Sequence, residues 1–386
     1  MDRSIPESID PSPSDASPRA PLVLRLWTGP ARWVGAIFGT LFRVVSLVIL
    51  LAISLTFPVL SVFFLGYLVY AQGRAVRFGI WHGMPGLRLA GRIGLIGALG
   101  ALLYIPVWIV RQSAADAGVI APGSPDALGW HRGGQILLLI WLFQWVVVLL
   151  RGGQSLYWFR PLANLGFLAR GMFRVSWYRQ RLTQATGLLS SLGWQEVLSL
   201  GVRSYLGTMA WLILPSLMLW AGPSVPIVGI VGGILLAWCT LHLPIMQVRL
   251  AVEDRWNVFR ELRETRLLRK RAPVAMLLAS LVWLLSGIPL YLLLIEPFAK
   301  GLWWMPAIVF VVLLGLGRWV WSLAVARGMG RNTIARWPIR AVCWTLSFLL
   351  GLVYAGAIFL TPYILFRGYW GLFEHHALLF PVIGSG

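Results

Sequence analysis

The sequence predicts an all-α fold, a polytopic transmembrane helix bundle of about eight spans, and three observations predict it. Hydrophobic residues make up 58% of the 386 and charged residues only 12%, with a mean hydropathy of +0.77. Soluble domains carry about 25% charged residues, so no soluble core could hide this much apolar surface and lipid is the expected solvent. The apolar residues also gather in stretches close to the length a bilayer requires, about 17–25 residues. Almost no acid enters those stretches, and Arg-rich connectors separate most of them.

Residues 1–30 read as a disordered tail, because 1–20 are rich in Pro, Ser and Asp and offer little to bury. They lack the apolar run of a signal peptide, so the first span is expected to be retained. The transmembrane domain covers 31–365, and a tail over 366–386 follows. The first span reads as 44–70. The second, 93–110, is held between Arg92 and Arg111, and the third, 133–150, between Arg132 and Arg151. The fourth, 205–221, and the fifth, 226–248, are joined by a short turn at Gly222-Pro223-Ser224. The sixth, 274–295, the seventh, 301–326, and the eighth, 341–365, complete the set, with Arg318 inside the seventh.

Orientation follows from a net charge of +20, made of 33 basic against 13 acidic residues. The connectors after spans one, three, five and seven hold 4, 7, 8 and 4 basic residues; those after two, four and six hold about 2, 0 and 1. The positive-inside rule places the first group in the cytoplasm and the C-terminus outside. The N-terminus conflicts with this. Arg3, Arg19, Arg25, Arg32 and Arg43 favour the cytoplasm, yet a single first span puts that end outside. Eight full spans is the simpler arrangement. The alternative is a hairpin over 33–70, kinked at Phe57-Pro58, that enters and leaves on the cytoplasmic side. Such a piece survives only when protein covers its backbone.

A four-plus-four repeat is a further expectation. In each half the first, second and fourth spans carry a proline: Pro58, Pro106 and Pro215, then Pro244, Pro289 and Pro362. The strings Leu55-Thr56-Phe57-Pro58 and Leu241-His242-Leu243-Pro244 are alike. Transporters built from two similar halves show this kind of symmetry.

Two connectors read as amphipathic helices on the cytoplasmic face. In 151–204, Leu165, Leu168, Met172 and Val175 share one helical face, and Arg170, Arg174 and Arg181 share the opposite one. In 249–272, Val252, Trp256, Phe259 and Leu262 form an apolar stripe ahead of the basic end Arg266, Arg269, Lys270 and Arg271. Basic helices of this kind lie in the headgroup plane. Basic residues beside apolar spans point to anionic lipid headgroups as partners rather than to nucleic acid.

Little in the chain suits catalysis. All 13 acids fall outside the expected spans, so no carboxylate pair is available for acid–base work. His242 lies three residues after Cys239 in span five, but no further ligand stands near in sequence, and no zinc spacing occurs. Gly91, Gly94, Gly97 and Gly100 open a span instead of following a strand, and no Gly-Lys-Ser/Thr follows, so they are not a phosphate loop. Arg318, beside Trp319 and Trp321, is the one basic residue deep in a span, and an ionisable group there is a functional hint by default. Arg170, Arg174, Arg181 and Arg318 are therefore the headgroup or anion candidates. No catalytic, cofactor or metal residue is expected.

The string Pro58-x-Leu60-x4-Leu65-Gly66-Tyr67, with Arg74 and Gly79 after it, resembles a stretch of uncharacterised bacterial multi-pass membrane proteins. The resemblance implies helical membrane architecture in a bacterial inner membrane and assigns no activity or site residue. The expected function is non-enzymatic: organising the membrane or serving as an accessory subunit, with anionic lipid bound at the cytoplasmic face. The alternative is a transporter or lipid translocase for hydrophobic or anionic cargo, without proton coupling.

Overall fold

The computed structural model describes residues 22–79, 83–171, 173–180, 183, 193–295, 305–365 and 379. Among them the chain is helical and forms no strand. The order is α1 (Leu22–Thr56), α2 (Pro58–Phe78), α3 (Leu87–Ile120), α4 (Pro125–Leu150), α5 (Pro161–Gly171), α6 (Trp194–Ala221), α7 (Pro226–Glu253), α8 (Leu262–Arg271), α9 (Pro273–Ile295), α10 (Met305–Met329) and α11 (Trp337–Leu365). Helices α2, α4, α5, α7 and α9 each begin on a proline. The missing N–H is no loss there, and the fixed φ suits the first turn. Ser124 caps α4 by accepting from the Ala127 amide at 3.1 Å.

Seven helices are long and apolar enough to cross a membrane, and an eighth if α8 and α9, bent by 101° at their junction, make one span. The outer helices α3 and α4 leave Leu102, Ile105, Trp108, Leu139 and Ile140 exposed, as lipid-facing side chains should be. This is the fold of a multi-pass membrane protein. Most helices overrun the expected spans, since terminal arginines can leave the apolar layer without ending the helix.

The core is organised around α7. Every residue from 239 to 250 is buried, and a helix buried all round lies inside a bundle. Helix α6 pairs with it antiparallel, Gly222 meeting Gly229 and Thr208 meeting Gln247. Helix α2 crosses α6 at Gly66 and Gly201, where a Cβ on either glycine would overlap a carbonyl oxygen of the other helix. A second, small cluster of Ile96, Val148 and Trp158 holds α3, α4 and the short 3-10 helix Ser155–Phe159 together.

Four expectations need correction. First, 44–70 is not one span. Pro58 cannot donate a backbone hydrogen bond and pushes its predecessor out of the α region; Phe57 is extended, at φ −107° and ψ 125°. A straight rod would place Arg43 and Tyr67 about 36 Å apart (24 residues at 1.5 Å). Yet Arg43 packs on Gly91, and the Tyr67 hydroxyl donates to the Pro85 carbonyl at 2.9 Å, only six residues earlier. So α1 and α2 are the limbs of a sharp V. Arg43 on Gly91 and Ser46 on Gly94 also make α1 run parallel to α3.

Second, 249–272 is not a single amphipathic helix. Helix α7 continues to Glu253, Asp254 turns left-handed at φ 52°, and a 3-10 helix Trp256–Phe259 precedes α8. Val258 and Phe259 are buried in the core rather than facing lipid. Third, the helical face read in 151–204 is interrupted: α5 stops at Gly171, 175–180 is helical again, and Leu165 and Val175 are exposed. Fourth, the tail expected over 1–30 does not extend past 21, as α1 starts at Leu22; residues 1–21 lie outside those described.

Pro58 breaks a helix, whereas Pro244 sits within α7. The two expected halves therefore differ at their first proline.

Candidate functional site

Arg151 follows α4 directly, and Gly152 and Gly153, at φ 86° and 68°, turn the chain there. That turn places Arg151 against the aromatic 3-10 helix. Its guanidinium lies 3.8 Å from the Tyr157 ring centre and 5.1 Å from that of Phe167, within cation–π range. Asn164, wholly buried, fixes it: its Oδ1 accepts from Arg151 Nη1 at 2.6 Å, and its amide donates to the Tyr157 carbonyl at 2.8 Å. Helix α5 ends at Gly171, and Arg170 and Arg174, on either side of that end, line one groove with Arg151.

The result is an open groove of about 580 Å³ lined by Arg151, Arg170, Arg174, Leu162, Phe167 and Trp177 among others. Among the described residues no carboxylate lines it, and Arg170 and Arg174 have no ion-pair partner. The floor is aromatic, with Phe167 and Trp177 5.5 Å apart. Thus two expected anion contacts, Arg170 and Arg174, share one site. Arg181 lies outside the described residues. Arg151 had read as a span boundary, and the signal that it does more was the Gly152-Gly153 turn that follows it.

Arg318 is elsewhere, buried in the core at 3% exposure. Its Nη1 donates to Gln72 Oε1 at 3.1 Å and its Nη2 to the Leu379 carbonyl at 2.8 Å, while Nε has no partner. Gln72 Nε2 donates back to the Arg318 carbonyl at 3.0 Å. Gln247 Nε2 donates to Leu379 O at 2.9 Å and to Thr208 Oγ1 at 2.8 Å. Four helices and Leu379 thus meet in one donor-rich cluster that, among the described residues, contains no acid. Only Arg318 was visible in the sequence as unusual; Gln72, Thr208 and Gln247 are polar side chains in apolar helices, and nothing along the chain joins them.

A third cluster closes the end of α7. Arg249, also 3% exposed, is gripped by Glu253 at 2.6 Å and Glu261 at 2.6 Å. Arg255 joins both acids, and its hydrogen bond to Glu253 holds its guanidinium above the ordinary value. Arg203 pairs with Asp254 at 2.5 Å, and Arg77 donates to the Val252 carbonyl. With Glu253, Asp254 and Glu261 each paired to arginine, this cluster reads as a structural clasp.

His242 and Cys239 are satisfied locally. His242 Nδ1 lies 2.8 Å from the Trp238 carbonyl and its ring 4.6 Å from the Trp238 ring, and Cys239 Sγ is 3.6 Å from the Trp211 carbonyl. No group of three His, Cys, Asp or Glu among the described residues could hold a metal. Comparison with protein-family models, curated proteins and solved structures finds no match.

Proposed function

We propose that the chain is a non-enzymatic multi-pass protein of the cell membrane, bacterial inner membrane by its resemblance, that organises the bilayer or assists another complex by binding anionic lipid at its cytoplasmic face. The observation that carries this reading is the groove of Arg151, Arg170 and Arg174. Its arginines are unopposed by acid, and guanidinium groups fork phosphate oxygens. Its aromatic floor suits the interfacial layer, where Trp and Tyr concentrate. The groove belongs to the connector after α4, one of the basic connectors that the positive-inside rule assigns to the cytoplasm.

Lipid co-purification and titration into nanodiscs test this. The full chain is expected to prefer phosphatidylglycerol to phosphatidylcholine. Each basic residue near an anionic surface adds about 1 kcal/mol, so a triple Arg151→Gln, Arg170→Gln, Arg174→Gln variant should lose about 3 kcal/mol, roughly 100-fold in affinity. Unchanged lipid preference in that variant would end the proposal.

The Arg318 cluster favours a second reading, a transporter or translocase for hydrophobic or anionic cargo. It offers hydrogen-bond donors in the core and, among the described residues, no titrating carboxyl group, which fits cargo movement uncoupled from protons. An Arg318→Ala variant that moves cargo normally in proteoliposomes would remove this role.

A further inference from the structure

The Leu379 carbonyl sits in a place unusual for a residue so far beyond the last helix. Helix α11 ends at Leu365. It starts only eight residues after Met329, so it returns to the end of the bundle where α10 begins. Arg318 lies 13 residues into α10 from Met305, about 20 Å from that end at 1.5 Å per residue. Leu379 is therefore far back inside the bundle, with 1% of its surface exposed.

What it covers is chemically specific. Nε and Nη2 share one edge of a guanidinium, the edge that grips a carboxylate or phosphate with two parallel hydrogen bonds. In Arg318 that edge is half used: Nη2 meets the Leu379 carbonyl and Nε is unpaired. Gln247 Nε2 points to the same carbonyl. Two donors, Arg318 Nη2 and Gln247 Nε2, thus converge on one neutral oxygen while Nε stands unused, and among the described residues no acid balances the buried charge. Burying an uncompensated charge is strongly unfavourable, so the arrangement is better suited to a guest that carries negative charge.

We propose that Arg318 and Gln247 form a binding site for a phosphate group, and that the Leu379 carbonyl competes for it as an internal occupant. The two converging donors together with the unused Nε suit phosphate better than carboxylate, because phosphate has more oxygens to receive them. The phosphate belongs either to a lipid headgroup or to a free phosphate. The inference stands whether or not the protein moves cargo, and it uses none of the groove residues.

The test uses the full chain in detergent and two variants meant to displace the occupant: a chain ending at residue 370, and Leu379→Lys, which puts a positive charge on the buried residue whose carbonyl meets Arg318. Each is made with and without Arg318→Gln. The probes are inorganic phosphate and phosphatidylglycerol, read by thermal shift and isothermal titration. Displacing Leu379 should tighten phosphate binding at least tenfold, and Arg318→Gln should abolish the gain. A gain with both probes identifies free phosphate as sufficient; a gain with phosphatidylglycerol alone identifies a lipid headgroup. If the shortened chain does not fold, Leu379→Lys carries the test. Folded variants that bind neither probe more tightly than their Arg318→Gln counterparts would overturn the site.

Discussion

Gln72 and Arg318 hold each other reciprocally across α2 and α10: the guanidinium donates to the Gln72 side chain, and the Gln72 amide donates back to the Arg318 main chain. This pair fastens one limb of the V to the core. It also fixes which face of the guanidinium is left for other partners.

Gln72→Leu keeps the volume and removes both bonds. It strands Nη1 of a buried cation, and an unsatisfied buried polar group costs about 1–3 kcal/mol. The expected result is a lower midpoint of thermal unfolding in detergent, followed by tryptophan fluorescence. A midpoint equal to that of the parent would mean the reciprocal pair contributes nothing to stability.

The α2–α6 crossing makes a sharper prediction. A methyl at Gly66 or Gly201 would overlap main-chain oxygen of the facing helix, and backbone cannot swing aside as a side chain can. Gly66→Ala and Gly201→Ala should each destabilise by about 1–3 kcal/mol through overpacking. Gly97 in α3 is the control, because nothing lies within 4 Å of a Cβ there; Gly97→Ala should be neutral or slightly stabilising, as Ala favours helix over Gly. Equal losses at all three positions, measured as monodisperse yield and unfolding midpoint, would contradict the crossing.

Arg249 gives a third. It is a buried cation held by two carboxylates, and breaking a buried ion pair by removing one partner costs about 3–5 kcal/mol. Both acids are partly exposed, so Arg249→Met should fall near the lower figure. Arg249→Lys should recover little, since an ammonium lacks the planar fork that reaches Glu253 and Glu261 together. Recovery by Lys to parental stability in urea unfolding would show that charge alone matters here.

The sequence carried the class of fold because bilayer-length apolar runs have few alternatives. It also located Arg318, since a charge within such a run stands out. What it misplaced were the interruptions. The breaks at Phe57, Gly171 and Asp254 are decided by tertiary contacts as well as by local residues, and helical periodicity runs through all three without a gap. The Arg318 cluster was invisible for a different reason. Gln72, Thr208, Gln247 and Leu379 are separated by 136, 39 and 132 residues along the chain, and only packing around α7 brings them together. Arg170 and Arg174 were found through a face that does not exist as one helix; both still line one groove.

The V at Phe57 also bears on which side of the membrane the N-terminus occupies. Because α1 runs parallel to α3, and the chain bends sharply before α2 leads into α3, the start of α1 lies toward the same end of the bundle as the start of α3. That end carries Arg74, Arg77, Arg88 and Arg92, the cytoplasmic group by the positive-inside rule. The five arginines ahead of residue 44 then agree with the rest of the chain instead of opposing it. Reporter fusions at residues 20, 120, 260 and 386 are expected to read cytoplasmic, external, cytoplasmic and external in turn. A fusion at 20 that reports the side opposite to the one at 260 would require α1 to cross alone and α2 to continue it, and the contacts of Arg43 with Gly91 and Tyr67 with Pro85 could not then both exist.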